Sequence, residues 1–232
     1  MIDAAVPGFL PSTHGLRFKN DWPKAAAFKV EVLGLQVPVG DASRGLCGGM
    51  VFAVRDLFRL GRPVPPDTTA PASGPLYEYI GQRLKDSFFL PNGPLRYLDL
   101  MAAPDGDRSW PLISWLLKKR TRGVAWRTIN DALPEVIAAL QRGDLVCLGL
   151  VCTHSASPLD LGANHQVLAY RIVRDGADVR VWVYDPNRPL RDDVVLHLST
   201  ADPTRATAID FENGSVDVRA FFVTPYTPAT PP

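Results

Sequence analysis

The sequence predicts an α+β fold: a helical first half, about 40–143, with one central helix beginning at a cysteine, followed by an antiparallel sheet or half-barrel over about 144–224. Three observations predict it. Before Gly143, apolar residues recur every three to four positions. After Asp144, short apolar runs of strand length alternate with turn signals such as Arg174-Asp175-Gly176 and Asn213-Gly214. No helix-length pattern separates those runs, which favours antiparallel neighbours over a parallel sheet.

The elements follow in order. Residues 1–28 read as an extended arm with turn signals, which Phe9, Leu10, Leu16, Phe18 and Trp22 could pin to a core. Val30, Val32, Leu35, Val37 and Val39 read as a strand or strand pair broken at Gly34. From Cys47, the spacing puts Met50, Val51, Val54, Leu57 and Phe58 on one face of a helix and Arg55, Asp56 and Arg59 on a solvent face. Gly61 and Pro63 stop it.

Leu76 to Phe88 repeats as a helix of about four turns, and Leu95 to Met101 as a shorter one. Trp110 to Leu117 suggests another helix. Asn130 or Asp131 could cap the next, which ends at Gly143. Leu145–Cys152, His165–Val173, Val179–Tyr184, Val194–Leu198, Ala206–Phe211 and Val216–Thr224 are the strand candidates. The expectation is a single domain over 1–224 and a disordered proline-rich tail over 225–232.

Composition narrows the function. The chain has 232 residues, 46% hydrophobic and 21% charged, as expected of a globular domain. Net charge is +1 with scattered Lys and Arg, so neither a nucleic-acid nor a membrane-surface partner is expected. No run reaches the ~18 apolar residues of a membrane span. The N-terminal segment has no basic stretch followed by an apolar one, so a cytoplasmic location is expected, with signal-less export left open. The three cysteines, Cys47, Cys147 and Cys152, are too few and odd in number for a disulfide framework. Cys147 and Cys152 read as unpaired core thiols.

Gly45-Leu46-Cys47-Gly48-Gly49-Met50 carries the chemistry. A cysteine at a helix start meets unpaired N–H groups and the positive end of the dipole, both of which favour the thiolate. The two glycines leave room for a substrate backbone. Of the four histidines, only His165 opens a predicted strand, and the next strand ends in Tyr184-Asp185-Pro186-Asn187. A hairpin with a five-residue loop would pair His165 with Asn187 and put Asp185 on the same face. Asp185 is the preferred partner, because Pro186 would end the strand and free Asn187 for a turn. A cysteine nucleophile needs such a base and such an orienting group.

These motifs resemble the papain-like cysteine peptidase superfamily in chain order. His165-Gln166-Val167 and Asp185-Pro186 look most like the bacteriocin-processing peptidase domains of bacterial exporters. The wider set Gly-Leu-Cys-Gly-Gly-Met, Asn-His-Gln-Val-Leu-Ala-Tyr and Tyr-Asp-Pro-Asn is similar to a group of bacterial papain-like proteins. The resemblance spans residues 40–190. It implies a papain-like fold, Cys47 as nucleophile, His165 as general base and acid, Asp185 as orienter with Asn187 as alternative or support, and a peptide or protein substrate.

One departure stands out. Such enzymes place a glutamine about six residues before the cysteine to bind the oxyanion, and here that position is Asp41. Asn20, Gln36 and Ser43 are the candidates for the missing donor. Losing one such donor can cost ~100- to 1,000-fold in rate. The expected activity is cysteine-dependent acyl hydrolysis, most simply of peptides. The alternatives are a transferase or deamidase with the same triad, or a binding module that has lost efficient chemistry. No Cys-x-x-Cys or His-x-x-x-His spacing exists, so neither a metal nor a cofactor is expected.

Overall fold

Alternating strand segments after Asp144 fold into one antiparallel sheet. In this computed structural model, which describes residues 1–22, 28–32, 35–39, 46–89, 92–108, 121–206 and 208–232, its strands are β4 (Val146–Val151), β5 (His165–Asp175), β6 (Asp178–Tyr184), β7 (Val195–Ser199), β8 (Asp210–Glu212) and β9 (Ala220–Val223). Their spatial order is β8-β7-β6-β5-β4-β9. An isolated antiparallel bridge between Ile209 and Val218 draws the two ends of that path together, so the sheet curls into a half-barrel.

The N-terminal arm is part of this sheet. β1 (Ile2–Ala5) pairs with the far half of β5, along the edge whose near half is taken by β4. The chain then passes through a short helix, α1 (Pro11–His14), and buries Phe9, Leu16, Phe18 and Trp22. Leu10, expected among these anchors, is exposed. The valine-rich segment forms two strands, β2 (Phe28–Val32) and β3 (Leu35–Val39), paired in a separate antiparallel hairpin.

The helices are α2 (Cys47–Arg59), α3 (Pro75–Ser87), α4 (Asn92–Ala102), α5 (Val124–Arg127) and α6 (Leu133–Gln141). The helix expected around Trp110–Leu117 lies outside the described residues. Asn130 and Asp131 do not cap a helix. The helical run starts after Gly123 and crosses a π-helical turn, Thr128–Ala132, between α5 and α6. That wide turn sits just before Pro134, whose ring clashes with the carbonyl four residues back in a regular α-helix.

α2 packs between α3 and β5. It was expected to show a solvent face, yet Asp56 is fully buried and Arg55 half-buried. The cause is the C-terminal tail, expected to be disordered, which lies over that face. Asp56 Oδ1 accepts from the Tyr226 hydroxyl at 2.5 Å and from the Ala229 N–H at 2.9 Å. Its Oδ2 accepts from Tyr79 and from Arg83 Nε, both at 2.8 Å. Arg83 also donates to the Thr227 carbonyl, and the Arg55 guanidinium lies 3.8 Å above the Tyr226 ring. A buried carboxylate is tolerable only when paired and hydrogen-bonded, and the tail supplies two of its four donors.

Candidate active site

Cys47 is the first residue of α2. The first N–H groups of a helix have no intrahelical acceptor, so positive potential gathers where its thiol lies. Gly48 and Gly49 do not open space for a substrate, as the spacing suggested. A Cβ on Gly49 would sit 2.1 Å from the Ile80 carbonyl oxygen, and one on Gly48 2.3 Å from Ser87 Oγ. The glycines instead let α3 press directly against the first turn of α2, next to Cys47.

His165 opens β5 and is almost wholly buried. Its Nε2 lies 2.7 Å from Asp185 Oδ1, and the Cys47 side chain is near enough to the ring to raise its pKa. With Nε2 engaged by Asp185, Nδ1 is the nitrogen left for the thiol. From the helical half, the Tyr97 hydroxyl donates to the His165 carbonyl at 3.2 Å. Burial pulls the imidazole pKa down, but the hydrogen bond to Asp185 and the neighbouring Cys47 outweigh it and raise it to about 10. Asp185 and Cys47 thus favour the imidazolium form of His165 over the neutral ring.

Asp185 follows the last residue of β6 and has no exposure to water. Burial pushes its carboxyl pKa up. The hydrogen bond and charge of His165, the Asn187 N–H and the Ser215 hydroxyl pull it further down, so the net shift is below the ordinary value. The N–H of Asn187 donates to Oδ1 at 2.8 Å and Ser215 Oγ to Oδ2 at 3.0 Å.

The route by which Asp185 reaches His165 differs from the expected five-residue loop. The β5–β6 turn is tight: Asp175 pairs with Asp178 across Gly176-Ala177. Continued unbroken, that register sets Asp185 opposite Leu168, on the face away from His165. The register shifts between Ala169 and Arg171, and Leu168 pairs with Tyr184. Tyr170 is the extra residue of a bulge, and its carbonyl accepts the Val6 N–H from the N-terminal arm. Beyond the bulge Asp185 falls opposite Val167, on His165's face and one diagonal step away.

Asn20 is brought next to the cysteine, but not as an open donor. Its Oδ1 accepts the Leu46 N–H at 2.6 Å and the Trp22 Nε1–H at 2.9 Å, and its Nδ2 donates to Asn187 Oδ1 at 3.1 Å. Its own N–H donates to the Pro186 carbonyl. Asn20 thus ties the residue before Cys47 to the turn that carries Asp185. Asn187 does not hold His165. It supports Asp185 through its N–H and passes a hydrogen bond to Ser215 Oγ at 3.0 Å. Gln36 lies on β3, where only the backbone is described, and Ser43 lies outside the described residues.

Sequence reasoning missed Ser215 and Tyr97. Ser215 lies 30 residues beyond Asp185 in a loop after Asn213-Gly214, and only the fold brings it back. Tyr97 was read as one apolar position of a helix face. The other thiols are not rivals to Cys47. All three cysteines are free, and burial raises Cys147 and pushes Cys152 up to about 12, so both stay protonated at neutral pH. His154 is exposed on the loop after β4.

The arrangement places the partly exposed Cys47 sulfur beside an imidazole ring that a buried carboxylate holds by its Nε2. Such a set can pass one proton between sulfur and nitrogen without losing its orientation. No protein-family model, no curated protein and no solved structure matches this chain.

Proposed function

We propose that the chain is a cysteine-dependent acyl hydrolase, most simply a peptidase of papain-like architecture, with Cys47 as nucleophile, His165 as general base and acid, and Asp185 as orienter. The observation that carries this reading is the buried His165 ring, held at 2.7 Å by Asp185 through Nε2 and with Cys47, the first residue of α2, as its other neighbour. The curled antiparallel sheet and the helix that begins at the cysteine support it. In the proposed reaction the Cys47 thiolate attacks a peptide carbonyl and the His165 imidazolium protonates the leaving amine. Neutral His165 then takes a proton from the water that cleaves the thioester.

A second reading is a binding module with the same architecture and weak chemistry. It is favoured by Asn20, whose amide oxygen is turned to Leu46 and whose nitrogen is bonded to Asn187, in a chain that carries Asp41 where a glutamine would serve. A transferase or deamidase would use the same three residues. The reading carries no nucleic-acid partner and a cytoplasmic setting, and among the described residues no helix is long and apolar enough to cross a membrane.

The test is iodoacetamide alkylation of Cys47 across pH, read by peptide mass spectrometry, in wild type and in His165→Ala. The expected result is rapid alkylation at pH 6 that slows at least tenfold in His165→Ala. Equal rates in the two proteins would remove the nucleophile–base pair and with it the hydrolase reading.

A further inference from the structure

The outer face at one edge of the sheet holds a second constellation, unrelated to Cys47. His197 on β7 lies directly opposite Asp210 on β8, and Val195 lies opposite Glu212. Both carboxylates therefore share His197's face, one opposite and one diagonal. Ligand atoms of His197, Asp210 and Glu212 all lie within 4.8 Å of one another.

Two further observations separate this set from an ordinary acidic surface. First, Nε2 of His197 is bonded to Oδ1 of Asp178 on β6, a residue outside the set, and Asp178 has Arg180 Nε at 3.6 Å on its other oxygen. With Nε2 turned to Asp178, Nδ1 is the ring nitrogen left on the side of the two carboxylates. Second, Nδ1 points toward Glu212 Oε1 at 3.6 Å, too far for a hydrogen bond. Among the described residues, no Lys or Arg pairs with Asp210 or Glu212. One imidazole nitrogen and two carboxylates thus face one another within 4.8 Å.

We propose that this edge is a divalent-cation site of the zinc class, with His197 Nδ1, Asp210 and Glu212 as ligands and Asp178 orienting the imidazole from behind. One nitrogen and two oxygens suit zinc, whose bonds to such atoms are about 2.0–2.2 Å, so ligands on one ion stand up to ~4 Å apart. Small rotations of exposed side chains bridge the difference. A carboxylate behind the ligating histidine is the usual outer partner at such sites. Water completes the coordination, because Asp210 and Glu212 are exposed. The bound ion would clip the three-residue edge strand β8 to β7, a stabilising rather than catalytic role.

The experiment is equilibrium dialysis against micromolar zinc chloride with metal analysis, on protein carrying Cys47→Ser so that the thiol near His165 does not compete. One zinc per chain is expected. His197→Ala, and separately Asp210→Asn with Glu212→Gln, should abolish it, and Asp178→Asn should weaken it roughly 10- to 100-fold. These substitutions lie on a solvent face, and circular dichroism verifies that each variant folds. Absence of zinc in the Cys47→Ser protein, or zinc retained undiminished in His197→Ala, overturns the proposal. Neither result bears on the hydrolase reading, which the alkylation rates decide.

Discussion

Asp185→Asn keeps the shape of the side chain and an acceptor for the Asn187 N–H, and it removes the charge that faces His165. Breaking one side of a buried ion pair costs ~3–5 kcal/mol. The retained acceptor places the expected loss at the lower end, about 3 kcal/mol at pH 6. With a urea dependence on the order of 3 kcal/mol per molar for a chain of this size, the midpoint should fall by about 1 M.

The pH dependence identifies the cause. His165 rises from 6.5 unfolded to about 10 folded, so its contribution is complete below pH 6.5 and fades as pH climbs through about 10. The slope is about 1.4 kcal/mol per pH unit for one proton. Asp185 is shifted the other way, so its contribution is complete above 3.8 and is lost as pH falls through its lowered folded value. The gap between wild type and Asp185→Asn should therefore be widest between pH 4 and 6.5 and nearly closed beyond 10. Urea unfolding followed by tryptophan fluorescence at pH 6 and pH 10 measures it. A gap of equal size at both pH values would refute an ion pair and leave Asp185 as a neutral spacer. Ser215→Ala, which removes one donor to the same carboxylate, should move stability in the same direction by ~1–2 kcal/mol.

Two further outcomes follow from the packing around α2. Gly49→Ala should lower the melting temperature far more than Gly48→Ala, because the first meets the main-chain oxygen of Ile80 and the second the side-chain ends of Ser87 and Gln166, which can turn away; equal losses would place the close helix contact elsewhere. Tyr226→Phe takes one donor from buried Asp56 and should cost ~1.5–3 kcal/mol in denaturant unfolding, while limited proteolysis should leave 225–232 attached in wild type; immediate trimming there would show that the tail does not dock.

The helices and strands were legible because their apolar spacing depends only on near neighbours in the chain. Cys47, His165 and Asp185 were legible because a helix start, a strand start and a strand end are themselves local signals. What was not legible depends on partners far apart in sequence. Asp56 reads as solvent-facing at its position on α2, and only Tyr79, Arg83 and Tyr226 together make its burial tolerable. β1 carries no pattern that says it will extend the edge of β5. The tail reads as disordered because prolines make no regular ladder, yet Tyr226 and the Ala229 N–H dock it one contact at a time. Asn20 was picked for its amide, but which end of that amide turns toward the helix is decided by the Leu46 N–H and the Trp22 indole.

The bulge at Tyr170 has a consequence for how this hairpin can change length. Side chains on a strand alternate, so the relation between His165 and Asp185 has only two states, same face or opposite faces, and each residue added to or removed from one arm toggles it. Tyr170 is the toggle that sets the present state. Losing one residue between it and Gly176 leaves a plausible hairpin with the carboxylate turned to the wrong side of the sheet, whereas losing one from each arm is neutral. Length variation here is therefore tolerated in even steps, or in odd steps that create or erase a bulge at the same time. The arm that caps the Tyr170 carbonyl through Val6 stands guard over that count from the other end of the chain.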